Sequence, residues 1–365
     1  MAQENKPARQ VALSKPLIGD EEKQAVLKVL DSGMIAQGPV TEAFEKAFAA
    51  EVGVPHAVAV ANGTAALHVA LLAHGIGPGH EVITSSFSFI ASGNSIVFTG
   101  AKPVFADIDE HSFNLDPASV EAHITPKTRA IMPVHLFGNP CDMDALGALA
   151  KKHNLVIIED ACQAHGAAWG GKQVGSFGSG CYSFYPTKNM TSGEGGMITL
   201  QDASVAKRAR MIRNHGMQER YKHEMIGFNL RMTDLHAAIG ITQLRKLKER
   251  NEARRRHAKY YSTRLKGVVL PQEHAKAHHV FHQYTIRVAH QRDEAVKKLG
   301  AAGVGAGIYY PRPIHQQPFY LEMGFRDSLP ITERLAQEVI SIPVRPDMTE
   351  DDAAYVVDVV NALGA

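Results

Sequence analysis

The chain reads as an α/β protein with a large, mostly parallel sheet and a smaller α+β domain at its C-terminal end. Three observations predict this. From Ala57 to Asp160, short β-branched runs alternate with helical stretches long enough to cross back over a sheet. Around Met232 a long, amphipathic, strongly basic helix begins, DLHAAIGITQLRKLKERNEARRRHAKYYSTRL, which carries the chain out of the sheet domain. Beyond it, short strand patterns (VFHQYTIRV, VGAGIYY) mix with helices. The expected division is a polar, aperiodic, flexible arm over 1–12, a large domain over 13–245, and a small domain over 246–365 that starts within the long helix.

The elements follow in order. DEEKQAVLKVLDSG and TEAFEKAFAAEVG have helical periodicity and each ends on Gly, the residue that tolerates a left-handed C-cap. AVAV (57–60) is a strand and leads through Asn62-Gly63-Thr64 into a helix. EVITS (81–85) is a strand, Ile90 to Phe98 a helix, and KPVFAD and AIMPV two further strands. A helix runs from Asp142 to His153, and LVIIED (155–160) is the next strand. Tyr182 to Tyr185 is an apolar strand that precedes a Gly-rich turn and another strand.

Composition narrows the function classes. The 365 residues are 45% hydrophobic and 21% charged, which excludes disorder as the main state. Lys and Arg number 39 against 37 Asp and Glu, so the balance implies no basic face for nucleic acid. Cys141, Cys162 and Cys181 lack C-x-x-C spacing and read as reduced, mostly buried thiols of a cytoplasmic protein. The N-terminal MAQENKPARQ is followed by no apolar stretch of the secretory type, and no membrane segment is expected.

The chemistry gathers at strand ends. Asn62-Gly63-Thr64-Ala65 is an anion-site pattern: Gly63 permits close approach, and the N–H groups of Thr64 and Ala65 at a helix N-terminus meet a phosphate, although a plain turn and N-cap has the same spelling. Phe89 lies just past EVITS, over the carboxyl edge of the sheet, or else is a core aromatic. Asp160 ends LVIIED, where open parallel sheets bind ligands, and alternation lets only one of Glu159 and Asp160 face that side, although a lone acid there equally fits a helix cap or a magnesium ligand. Gln163 falls near the same edge. Most informative is SFYPTKNMTSGEGGMITL, where Lys188 stands between two buried strands. Burial lowers the pKa of such an amine and makes it a nucleophile of the Schiff-base kind. No P-loop and no dinucleotide fingerprint is present.

These blocks, KPLIGDEE, NGTAAL, ITSSFSFIAS, MPVHLFGNPCDM, IIEDACQAHGA, SFYPTKN…GEGGM, NLRMTDLHAAIG, YYPRPIHQQPFY and SIPVRPDMTEDD, span nearly the whole chain in one order. They resemble the DegT/DnrJ/EryC1/StrS family of pyridoxal-phosphate sugar aminotransferases, whose fold is the type I aminotransferase fold. The resemblance implies that Lys188 is the Schiff-base lysine and Asp160 the partner of the pyridine nitrogen. It makes Phe89 the aromatic that stacks on the ring, Gln163 the residue near the 3-hydroxyl, and Thr64, Ala65 and Ser183 phosphate contacts, with Gly63 in the same turn. Asn229 matches an asparagine given to the phosphate by a second subunit, which implies a homodimer with shared active sites. Tyr310 and His315, in YYPRPIH, match a segment that approaches the sugar, with proline packing as the bland alternative. His236 stands where the family often has Gln, and Cys162 where it often has Ala.

The activity implied is ping-pong transfer of an amino group from L-glutamate to a keto-sugar nucleotide. The turn KNMTSGEGG resembles that of 4-keto enzymes, with 3-keto sugars and cyclitols (inosose) as alternatives. A regulator on the same fold would be expected to lack Lys188 or Asp160, and both are present. His278 and His282 have i, i+4 spacing but lack the Glu of HExxH and fall in a strand-like segment, so no metal is expected. The basic residues from Arg245 to Arg264, interspersed with Glu249 and Glu252, read as a solvated face.

Overall fold

The computed structural model describes residues 9–364. Its helices are α1 (Asp20–Ser32), α2 (Pro39–Val52), α3 (Gly63–Ala73), α4 (Ala91–Phe98), α5 (Pro117–Ala122), α6 (Met143–His153), α7 (Ala203–Arg213), α8 (Asp234–Ser262), α9 (Arg292–Ala301), α10 (Pro318–Glu322), α11 (Pro330–Glu338) and α12 (Glu350–Asn361). Its strands are β1 (His56–Val60), β2 (Glu81–Ser85), β3 (Lys102–Ala106), β4 (Thr128–Met132), β5 (Val156–Asp160), β6 (Ala168–Trp169), β7 (Lys172–Gln173), β8 (Ser179–Ser183), β9 (Gly196–Leu200), β10 (Met217–Glu219), β11 (Lys222–His223), β12 (Ala277–His278), β13 (Tyr284–Arg287) and β14 (Val339–Ile342).

A seven-stranded sheet in the order β1-β9-β8-β5-β4-β2-β3 forms the centre. β3, β2, β4, β5 and β8 pair in parallel, and β9 is antiparallel to both β8 and β1. The sheet is thus the mostly parallel α/β sheet that the alternating pattern predicts. Its two faces are buried under helices: Leu67, Val69 and Leu71 of α3 pack on Val58, Ile158 and Ile198, while Phe44 and Phe48 of α2 pack on Tyr182 and Phe184. Helix caps set the boundaries. α1 and α2 end on Gly33 and Gly53 in the left-handed conformation, and α6 starts on Asp142, whose carboxylate accepts from the N–H groups of Asp144 and Ala145.

The C-terminal part builds a separate cluster on the two-stranded antiparallel β13-β14 sheet, with Tyr261 of α8, Leu299 of α9 and Val356 of α12 packed on Tyr284, Ile286, Ile340 and Ile342. Most of the arm read over 1–12 falls on residues 1–8, outside the described residues. From Arg9 onward the chain is docked on this cluster: Arg9 pairs with Asp352 at 2.7 Å, and Val11 donates to the Gly303 carbonyl at 2.8 Å.

Three strand expectations shift. The strand read at Tyr182 to Tyr185 lies earlier, at Ser179–Ser183, and Tyr185 is exposed past its end. VFHQYTIRV is a strand only from Tyr284. Before it, Val280 and Gln283 donate to the carbonyls of Gly138 and Phe137, and Phe281 takes φ 44°. That loop contact outcompetes the β-propensity of the segment. VGAGIYY is no strand: only Val304 and Gly307 form isolated bridges, to Val11 and Ser341. An added Cβ on Gly305 would stand 2.6 Å from the Leu13 nitrogen, so close backbone approach takes the place of a ladder.

Candidate active site

The carboxyl ends of the parallel strands open on a cavity of about 640 Å³. Asp160 reaches it from the end of β5, and Glu159 points to the other side, as strand alternation requires. There Glu159 accepts from the N–H groups of Gly175, Phe177 and Gly178 at 2.6, 2.9 and 2.9 Å and from His135 Nε2 at 3.1 Å. Asp160 Oδ2 accepts from Ser92 Oγ at 2.7 Å, and Oδ1 from the Cys162 N–H at 3.2 Å. Lys188 lies beyond β8 on the same cavity, reached by a chain that leaves the sheet after Ser183. Removal from bulk water pulls the Lys188 amine below the ordinary lysine value, opposed by the nearby Asp160 carboxylate.

At the α3 end, Asn62 caps the helix, its Oδ1 accepting from Ala65 N–H at 2.8 Å. The Ala65 N–H expected at the phosphate is engaged by this cap, and Ala65 is not among the residues lining the cavity. The N–H groups of Gly63 and Thr64, at the first turn, are the ones without an intrahelical partner. Gly63 is held tightly there: an added Cβ would lie 2.6 Å from Ser183 Cβ and 3.0 Å from Cys162 Sγ. Thr64 and Ser183 line the same end.

Phe89 is 56% exposed and forms another wall, its ring centroid 6.0 Å from that of Tyr310. Gln163 is fixed between them and the floor, since Oε1 accepts from Phe137 N–H at 2.8 Å and Nε2 donates to Tyr310 Oη at 3.1 Å. Burial raises the Tyr310 phenol well above its usual value, so it stays a neutral donor.

Not every expected residue comes to the cavity. His315 is turned away: Nδ1 meets Ser86 Oγ at 2.7 Å, Nε2 meets Glu333 at 3.3 Å, and the ring is 2% exposed, so it braces the loop after β2 instead of facing a substrate. Asn229 is exposed, bridged to Asn214, and stands outside its own chain's cavity. His236 also stands off the lining; its Nδ1 meets Thr233 Oγ1 at 2.7 Å beside the Gly-rich turn. His278 and His282 diverge, the first toward Glu252 at 4.0 Å on the surface, the second inward to Asn189 Oδ1 at 3.2 Å. No group of three or more His, Cys, Asp or Glu able to hold a metal occurs among the described residues.

The cavity also has walls that sequence reasoning missed, above all His282 and Arg254. Asn189 Nδ2 donates to Asn251 Oδ1 at 2.8 Å and to the Val280 carbonyl at 3.1 Å, which leaves its Oδ1 to accept from His282 Nδ1. Arg254 is 8% exposed, which corrects the reading of the whole basic helix as a solvated face. The available signal was periodicity: Leu247, Asn251, Arg254, Ala258 and Tyr261 form one buried stripe of α8.

The site fits pyridoxal phosphate on these grounds: uncommitted N–H groups and hydroxyls around a glycine at a helix N-terminus, an aromatic face open to the cavity, a buried carboxylate, and a desolvated lysine.

A sequence profile of the DegT/DnrJ/EryC1/StrS aminotransferase family matches residues 16–361. A pleiotropic regulatory protein of Geobacillus stearothermophilus is 44% identical, over 92% of this chain and 93% of the relative. The UDP-N-acetyl-3-dehydro-alpha-D-glucosamine 3-aminotransferase of Acidithiobacillus ferrooxidans is 42% identical, covering 93% of each. The dTDP-3-amino-3,4,6-trideoxy-alpha-D-glucose transaminase of Streptomyces venezuelae is 42% identical over 93% of this chain and 91% of that one. Among solved structures, S. venezuelae DesV in complex with a ketimine intermediate superposes with a TM-score of 0.91 at 41% identity, covering 94% of both chains. Bacillus subtilis NtdA with bound cofactor PMP gives 0.89 at 31% identity, over 98% of this chain and 86% of that one.

Proposed function

Because the chain belongs to the DegT/DnrJ/EryC1/StrS aminotransferase family, and is therefore a pyridoxal-phosphate-dependent sugar transaminase, we propose that it moves an amino group from L-glutamate to a keto-sugar nucleotide by ping-pong transfer. The observation that carries this reading is the meeting of Lys188 and Asp160 on one cavity beside the uncommitted α3 N-terminus.

When bound, pyridoxal phosphate supplies an aldehyde that condenses with amines and a ring that accepts electron density. The Gly63 and Thr64 N–H groups and the Ser183 hydroxyl would hold its phosphate, Phe89 would cover the ring, and Asp160, oriented by Ser92, would hold the proton of its ring nitrogen. Gln163 and Tyr310 present a donor pair at the far side. Lys188 Nζ takes the α-proton of the amino donor, and in the second half-reaction returns a proton to the former ketone carbon of the sugar. Its lowered pKa keeps a larger share of the amine neutral, as a base must be. Asn229, exposed outside its own cavity, suits donation to a second subunit's phosphate site, so the working unit is a homodimer in the cytoplasm; no helix among the described residues is long and apolar enough to cross a membrane.

For the ketone position, the KNMTSGEGG turn favours a 4-keto sugar by its resemblance. A 3-keto substrate is the second reading, supported by the names of two relatives that are 42% identical. The test is direct. Protein loaded with pyridoxal phosphate is yellow and bleaches with glutamate, and a panel of 3-keto and 4-keto nucleotide sugars and inosose is then scored for return of the colour. Protein that takes up no pyridoxal phosphate overturns the reading, and recovery by inosose alone overturns the nucleotide-sugar assignment.

A further inference from the structure

Lys188 and Arg254 are the two Lys or Arg side chains among the cavity's described lining residues. Lys188 is occupied by the chemistry, so Arg254 is the permanent positive charge left to meet a ligand. Among the described residues no carboxylate forms an ion pair with it. Nη1 donates to the carbonyls of Phe281, His282 and Val344 at 3.3, 3.3 and 3.5 Å, long bonds to neutral acceptors. Nε is buried with no partner. The acid whose charge acts on it, Asp347, is already paired with Arg345 at 2.9 Å. Burial lowers its pKa to about 10, so it is still a cation at neutral pH. A guanidinium buried without a carboxylate is costly for a protein to keep, and a bidentate anion is the group that matches its geometry.

We propose that Arg254 binds a carboxylate of the amino donor and so selects an amino acid over other amines. The placement suits that ligand. Arg254 is held by the loop 281–282 and by Val344, and Lys188, Arg254 and His282 line one cavity, with the His282 carbonyl 3.3 Å from Arg254 Nη1. An amino acid whose amine reacts at Lys188 carries its carboxylates along with it into this enclosed space. The sugar ketone brings no charge to the reacting end. The inference rests on the transaminase reading, and it adds the residue that recognises the donor.

The experiment uses pyridoxal-phosphate-loaded protein with Arg254→Gln and Arg254→Lys, each checked by circular dichroism. Glutarate, an unreactive dicarboxylate, is titrated calorimetrically into each, and the two half-reactions are followed by colour. Binding of glutarate is expected to weaken about 10- to 100-fold in Arg254→Gln. Half-saturating glutamate should rise by a similar factor, while the rate with the acceptor sugar stays within about threefold. Arg254→Lys, which keeps the charge but not the fork, should recover part of the loss. Comparison of glutamate with alanine tells which carboxylate is held: loss with both identifies the α-carboxylate, and loss with glutamate alone the side-chain one. Unchanged glutarate affinity in folded Arg254→Gln, or an equal fall in both half-reactions, overturns the proposal. Glutarate binding that depends on Arg254 in a protein that never bleaches with glutamate would overturn the transaminase reading and leave this site standing.

Discussion

The Ser92 hydroxyl donates to Asp160 Oδ2 at 2.7 Å, and this bond ties α4 to the end of β5. With its one proton committed to Asp160, Ser92 Oγ accepts from Ser88 Oγ at 2.8 Å, so the carboxylate sits at the end of a short hydroxyl chain. Both hydroxyls are buried. The orientation of Asp160 is therefore set by the protein before any ligand arrives.

Removal of that hydroxyl should be felt modestly, and removal of the charge severely. Ser92→Ala is expected to lower kcat about 3- to 10-fold, the worth of one ordinary hydrogen bond of about 1 kcal/mol. Asp160→Asn should lower it at least about 100-fold, because a neutral amide cannot hold the ring-nitrogen proton. Steady-state kinetics on cofactor-saturated protein checks both.

At the other end of the cavity, Gly63→Ala would place a methyl group 2.6 Å from Ser183 Cβ, in a spot that cannot yield without moving β8. Overpacking of this kind should weaken retention of pyridoxal phosphate about tenfold or more while the fold persists. Equilibrium dialysis with spectroscopic detection of the bound cofactor gives the answer.

Shared sites between two subunits can be tested by complementation. Lys188→Ala and Asn229→Asp proteins should each be inactive, the second because a carboxylate repels the phosphate. Co-expressed with separate tags and purified as a mixed dimer population, they should recover about a quarter of the wild-type sites, the share expected when half the dimers are mixed and one site in each is intact. No recovery in verified mixed dimers would remove Asn229 from the partner's site.

Acid stability should depend on His165. Its ring packs between Tyr182 and Phe184, centroids 5.4 and 5.7 Å away, and burial pushes its pKa down to about 3, with the charge of Lys188 adding to the effect. The folded state keeps this imidazole neutral while the unfolded chain protonates it below the ordinary histidine value of 6.5. The stability is thus full above that value and falls as pH drops toward 3, by about 1.4 kcal/mol per pH unit for the one group. His279, also pushed down to about 3 by burial, acts in the same direction. In urea unfolding of His165→Phe followed from pH 7.5 down to 5, the pH slope near pH 5 should be smaller by about one proton. An unchanged slope would mean that the ring is not neutral by burial.

Local signals made much of this protein legible in its sequence. The left-handed Gly33 and Gly53, the Asp142 cap and the β-branched runs each act within a few residues, so the helices and the order of the strands follow from short windows. Lys188, Asp160, Phe89, Gln163, Gly63 and Thr64 could be read because each sits at or just past a strand end, where chain direction alone brings them to one edge of a parallel sheet, whereas Ser183 came only with the family resemblance. Tertiary structure decided the rest, because those properties depend on what arrives from far along the chain. The long strand read over VFHQYTIRV gave way to hydrogen bonds with Phe137 and Gly138, and this turned His282 inward. Ser86 and Glu333 claimed His315. Arg254, one arginine in a run of three, became a cavity wall because α8 lays its 247–261 stripe against two distant loops. Propensity and capping are settled between neighbours in sequence, whereas burial of a charge is settled by whichever segments close over it.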